Sequence, residues 1–119
     1  VVLKRGAEGC EVFSPESTTP ISARSFPIEV LNILGAGDAF MSGFLRGWLR
    51  NENLETCALY GNACGALVVT RHGCSPASPS FAEIEYFISN FDNFPNLAQH
   101  PHPMFWSKMN QLHLRTELR

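Results

Sequence analysis

The chain has 119 residues, a formal net charge of -2, 45% hydrophobic residues and 17% charged ones. That composition suits one small globular domain or part of a larger one, and it carries no basic excess for a nucleic-acid surface. No apolar run is long enough to cross a bilayer as a helix, so the expected partners are small molecules rather than nucleic acid or a membrane.

The opening "VVLK" is β-branched and predicts a strand at residues 1–4. "RGAEG" is a glycine-bounded turn, and a second short strand at 11–14 makes the pair a hairpin. Residues 17–27 are polar and proline-marked, and predict a loop or an edge segment. A short strand is expected at 28–32, followed by the glycine turn "LGAGD" and a helix at 39–50. On that helix Phe40, Met41, Phe44, Leu45, Trp48 and Leu49 recur at helical spacing. Gly43 and Gly47 lie one turn apart and predict close packing against a neighbour. After a turn at 51–53, "LETCALYGNACGALVVT" predicts a tightly packed helix at 54–70. A loop, "RHGCSPASPS", leads to a third helix at 81–89, with Ser80 as cap and Glu83 three residues on.

Beyond Asn90 prolines, asparagines and histidines accumulate. Residues 90–103 read as a linker and 104–119 as the start of a following element. His100 and His102 are two histidines without further ligands, a weak metal signal. Cys10, Cys57, Cys64 and Cys74 lack the close pairing of a zinc or redox site, and read as small apolar residues kept reduced in a cytosol. The chain begins without Met and "LHLRTELR" stops within a helix-like pattern. It is therefore expected to be an internal piece of a longer protein, and the lack of a targeting signal carries no weight.

The chemistry concentrates in "LGAGDAF". Without side chains at Gly35 and Gly37, successive backbone N–H groups can converge on one spot. The helix that follows leaves its first N–H groups unpaired at the positive end of its dipole. Together they suit phosphate oxygens. Asp38, at the mouth, is a poor phosphate ligand but a suitable general base. Alternatively its charge only complements the helix end, worth about 0.3–1 kcal/mol. No Lys-Ser/Thr follows the glycines, so this is not a P-loop, and the spacing is not that of a dinucleotide fingerprint.

"GAGDAFMSGF" resembles the C-terminal signature of the ribokinase-like (PfkB) carbohydrate kinases. The resemblance runs in the family's order from "VVLKRGAEG" through "NACGALVVTRHGCSPASPS", about three quarters of the chain. It implies an α/β fold, the C-terminal portion of a ribokinase-like three-layer α/β/α domain, with residues 1–89 forming that part. It implies a phosphotransferase using ATP and Mg2+, cytoplasmic, with a sugar as second substrate and room for a homo-oligomer in the full-length protein. "VLNILGAGDAFMSGFLRGWL" is most similar to the branch that phosphorylates a deoxy-ketogluconate in inositol catabolism. Family kinases for fructose, ribose or 2-keto-3-deoxygluconate, and a non-catalytic nucleotide-binding module, remain as alternatives. The tail resembles a junction after which an aldolase-like domain follows.

By this resemblance Asp38 is the catalytic base and the amides of Gly35, Ala36 and Gly37 form the anion hole. Lys4, Gly6 and Gly9 match the turn that lies along ATP. Lys4 either contacts a phosphate or caps a strand in solvent. Asn62 matches the position beside adenine and ribose, or is a polar residue satisfied within a helix pair. Many members bind a monovalent cation such as K+ through oxygen atoms. The matching positions are Asn32, Leu34, Val68, Arg71, Gly73 and Ala77, mostly through backbone carbonyls. The family often reads D-T-x-G-A-G-D where this chain reads "NILGAGD". Asn32 thus offers a carbonyl dipole in place of a charge, which leaves K+ activation open. The sugar-recognition residues and the family's magnesium-related motif are expected N-terminal to Val1. The fragment alone is therefore expected to be inactive.

Overall fold

The computed structural model describes residues 1–73, 77–93, 107–112 and 115. Cys74, His100, His102 and most of the expected linker lie outside the described residues.

The expected hairpin is present. Strand β1 (Val2–Lys4) pairs antiparallel with β2 (Cys10–Val12), Leu3 facing Glu11. A 3₁₀ turn, Gly6–Glu8, joins them, and the Arg5 N–H closes it on the Gly9 carbonyl at 2.8 Å. A third strand, β3 (Ile21–Ser22), pairs antiparallel with β2 inside the stretch read as loop or edge. Alternation along β2 turns Cys10 and Val12 inward, where both are buried.

Helix α1 (Ala36–Leu49) starts earlier than expected, within the glycine turn itself. Gly35 caps it in the left-handed region, φ 86°, where an L side chain is strained. Helix α2 (Leu54–Val69) is capped by Asn53, whose Oδ1 accepts the Thr56 N–H at 2.8 Å. Helix α3 (Phe81–Asn90) begins with the predicted capping box between Ser80 and Glu83. Glu83 is fully buried and also pairs with the Arg71 guanidinium, which donates to the Ala77 carbonyl at 3.3 Å. A buried carboxylate requires such partners.

The strand expected at 28–32 is not one. The N–H groups of Leu31 and Asn32 donate to the Val69 carbonyl at 2.7 and 3.1 Å, at the end of α2. Among the described residues no strand runs alongside, and an apolar run forms a strand only where a ladder partner exists.

Glycines bring α1 and α2 together. A Cβ at Gly43 would stand 2.6 Å from the Tyr60 carbonyl oxygen, and one at Gly61 would stand 2.7 Å from the Phe40 ring. Gly47 meets Cys57, and the pairings run in opposite order along the two helices, so they are antiparallel. Two apolar clusters result. Cys10 and Val12 of the sheet pack with Phe40, Phe44, Cys57 and Ala58. On the other side Leu67 and Val68 pack with Phe26, Ile84, Phe87, Phe91 and Met109. Helix α2 contributes to both and forms the spine of the molecule.

Candidate functional site

A cleft of about 370 Å³ opens where the 3₁₀ turn, the start of α1 and the middle of α2 meet. That volume lies at the small end of ligand sites. Six of the seven residues expected to bind nucleotide or anion line it: Lys4, Gly6, Gly9, Ala36, Gly37 and Asn62. Gly35 and Asp38 flank the lining residues Ala36 and Gly37 in the chain without lining the cleft themselves. Distant parts of the sequence therefore converge as the motifs implied.

The end of the cleft with open backbone amides is built by the start of α1. The Ala39 N–H makes the first helical bond, to the Gly35 carbonyl at 2.9 Å. The Ala36 N–H donates to the Ile33 carbonyl, a long bond of 3.3 Å. Among the described residues the N–H groups of Gly35, Gly37 and Asp38 have no backbone partner. These are the helix's orphan donors at its positive end. Lys4 projects from the end of β1 to the same place. A Cβ at Gly37 would stand 3.1 Å from the Lys4 Nζ, and the ammonium lies 5.9 Å from the Phe40 ring centroid. A cation and open amides thus sit at one end of an apolar slot, an arrangement that suits phosphate oxygens. Asp38 is exposed in the first turn of α1. Its backbone carbonyl accepts from Ser42 Oγ at 3.0 Å, and among the described residues its carboxylate makes no hydrogen bond or ion pair.

Most of the rest of the lining is apolar. Gly9, at φ 91°, lets the chain turn close to α2, where a Cβ would stand 3.3 Å from the Asn62 Nδ2. Asn62, 9% exposed, donates that amide to the carbonyls of Arg24 at 3.0 Å and Ala23 at 3.4 Å. It both lines the cleft and ties α2 to the segment that walls it. That wall, Ser25, Phe26, Pro27 and Ile28, carries no site residue expected from sequence. Its signal was only the apolar alternation of Phe26 and Ile28 beside Pro27. Burial pushes the nearby Cys10 thiol up, against an opposing hydrogen bond from Asn62.

The six positions matched to a cation site do not line the cleft. The Asn32 Oδ1 accepts the Leu34 N–H at 3.0 Å, the Val68 carbonyl accepts the Arg71 N–H at 3.2 Å, and Gly73 is left-handed at φ 86°. The bonds of Leu31 and Asn32 to Val69 bring the start of the glycine turn beside the end of α2. Among the described residues no three His, Cys, Asp or Glu side chains cluster as metal ligands. No described helix is long and apolar enough to cross a membrane.

An antiparallel hairpin packed on paired helices, with open amides at a helix start, is part of a ribokinase-like α/β fold. The putative ribokinase II of E. coli, solved in complex with ATP and Mg2+, matches 75% of this chain and 28% of its own, with TM-score 0.68 and 32% identity. The chain belongs to the pfkB family of carbohydrate kinases, whose profile matches residues 1–80. The 5-dehydro-2-deoxygluconokinase of Bacillus licheniformis is 39% identical over 89 residues, 75% of this chain and 27% of that protein. The ATP-dependent ribose-1-phosphate kinase of Halopiger xanaduensis is 36% identical over 92 residues, 77% of this chain and 30% of that protein. The chain thus spans less than a third of the length of these relatives.

Proposed function

We propose that this chain is the C-terminal part of an ATP-dependent kinase. The reaction moves the γ-phosphoryl of ATP to a primary hydroxyl of 5-dehydro-2-deoxygluconate, an intermediate of inositol breakdown. The observation that carries the reading is the cleft that gathers Lys4, Gly6, Gly9, Asn62 and the start of α1. Its lining is largely apolar, with the Lys4 ammonium beside the start of α1. The 39% identity to a 5-dehydro-2-deoxygluconokinase supports the choice of sugar.

In this reading the apolar slot takes the base and ribose, and Lys4 faces the phosphates. Gly35, Ala36 and Gly37 supply the amides of the anion hole, Ala36 by releasing its long bond to Ile33. Donors fixed in advance where charge develops stabilise a transferring phosphoryl group without reorganisation. Asp38 takes the proton of the attacking hydroxyl, which sharpens the nucleophile at the moment of attack. Mg2+ bound with ATP would supply charge neutralisation at its phosphates. A monovalent cation held by Asn32, Leu34, Val68, Arg71, Gly73 and Ala77 belongs to the proposal, but no step passes through it. So do the division at residues 1–89, 90–103 and 104–119, a cytoplasmic location and a homo-oligomeric full-length enzyme. The chain spans less than a third of these relatives, so in this reading the sugar pocket is built by residues outside these 119, and the 119 alone have no turnover.

ADP release by the full-length protein, measured across 5-dehydro-2-deoxygluconate, 2-keto-3-deoxygluconate, fructose, ribose and ribose 1-phosphate, tests the substrate. The deoxygluconate is expected to give the highest kcat/KM. Ribose 1-phosphate in first place would favour the second relative's activity instead.

A further inference from the structure

The wall of the cleft at residues 25–28 has no regular secondary structure, so no ladder holds it in place. Its position must come from other fasteners. Two are internal: the Asn62 amide on the Ala23 and Arg24 carbonyls, and Phe26, buried against Phe87 and Phe91 with ring centroids 4.9 and 5.1 Å away. The third is a charged clasp on the surface. Arg24 makes a bidentate pair with Asp92, Nη1 to Oδ2 at 2.8 Å and Nη2 to Oδ1 at 3.0 Å. The same guanidinium lies 5.0 Å from the Phe26 ring centroid and 5.2 Å from that of Phe91. Asp92 sits in a 3₁₀ turn, Phe91–Asn93, just past the end of α3. The Arg24 guanidinium beside it holds its carboxyl below the ordinary range.

Arg24 does not line the cleft, yet it immediately precedes four residues that do. The fork geometry and the stacking both fix its direction, as a lysine would not. We infer that Arg24 is a positioning residue for the nucleotide: clasped to Asp92 and stacked on Phe26 and Phe91, it holds the 25–28 wall at the width that grips the base and ribose. Through it the turn after α3 is coupled to nucleotide affinity. The inference rests on the nucleotide reading of the cleft.

The test uses the full-length protein with MgATP as ligand. Kd, KM for ATP and kcat are measured for wild type, Arg24→Ala, Asp92→Asn, their double variant and Arg24→Lys. Each single variant is expected to raise Kd and KM for ATP by about three- to tenfold, within reach of a well-formed bidentate pair, with kcat changed less than about twofold. The double variant is expected to be no weaker than the worse single one, because the two residues act as a unit. Arg24→Lys should fall between Arg24→Ala and wild type. Unchanged Kd in both single variants, or additive losses in the double one, would overturn the inference. Asp92 is exposed, so Asp92→Asn folds even where Arg24→Ala does not, and its Kd alone decides the matter then. Gly65→Leu separates the two readings, because Gly65 lines the cleft on α2 and a side chain there meets the lining residues Ala36 and Phe40 at ordinary contact distance. ATP affinity unchanged by Gly65→Leu means that ATP binds elsewhere and the cleft reading fails. Loss of affinity there, with unchanged Arg24 and Asp92 variants, removes the clasp alone.

Discussion

Asp38 shows how two roles for one residue come apart by magnitude. It stands exposed at the positive end of α1, beside backbone donors that would attract phosphate. As a dipole partner its loss costs about 0.3–1 kcal/mol of stability and leaves turnover alone. As a general base its loss removes about 10²–10⁴-fold of kcat. In the full-length enzyme Asp38→Asn is expected to lower kcat within that second range while Kd for ATP stays equal or improves, since a negative charge near the phosphates is gone. Kinetics and a nucleotide titration on the same preparation check it, and near-normal kcat removes Asp38 from the mechanism. Asn62 and Lys4 had two sequence readings each. Asn62 is satisfied by the Ala23 and Arg24 carbonyls and also lines the cleft, so being a satisfied polar residue does not take it away from the candidate site. Lys4 faces Gly37 and the start of α1, which sequence spacing alone had no means of showing. The cysteines keep their bland reading where they are described: Cys10, Cys57 and Cys64 are free and buried, and burial pushes the Cys64 thiol up to about 12.

At the scale of elements, what was legible is what neighbours in sequence decide. The capping box of α3, the hairpin and the long helix α2 each depend on residues a few positions apart. Helix α1 was placed too late because "GAG" has poor helix propensity, and only the left-handed cap at Gly35 reveals that the helix begins there. Residues 28–32 were read as a strand from their apolar content, but whether such a run pairs depends on a partner elsewhere. In this chain Val30 and Leu31 are 52% and 56% exposed, and the backbone bonds go to Val69. The expected close packing at Gly43 and Gly47 is present and can be measured. A Cβ at Gly43 collides with the Tyr60 backbone, which cannot swing aside as a side chain tip would. Gly43→Ala is therefore expected to destabilise by about 1–3 kcal/mol, the cost of overpacking, despite the better helix propensity of alanine. Chemical denaturation compared with an exposed control such as Arg50→Ala checks it, and an unchanged midpoint would mean that the helices separate freely.

The whole molecule is held by pairs that sequence reading does not find. Arg24 with Asp92, Asn62 with Arg24, and Arg71 with Glu83 join segments far apart, and each needed coordinates to be seen. The family motifs point to residues that line one cleft, whereas the wall at 25–28 carries no motif and is found only by its place in that lining. Met109 makes the same point about where the packed unit ends. It lies beyond the stretch read as a linker, yet it is fully buried in the same apolar cluster as Phe26, Phe87 and Phe91. A side chain so placed contributes as any core residue does, whatever element it belongs to. Met109→Ala removes its apolar area and leaves a void in that cluster, which relaxes only in part. The expected loss is about 2–5 kcal/mol, the range for such truncations in well-packed cores. Asn110→Ala, next in the same short helical stretch and exposed, should change stability by less than about 0.5 kcal/mol. Urea unfolding of both variants against wild type measures the difference. If the two variants match, residues 107–112 do not stabilise the core through Met109, and the packed unit ends with the turn that holds Asp92.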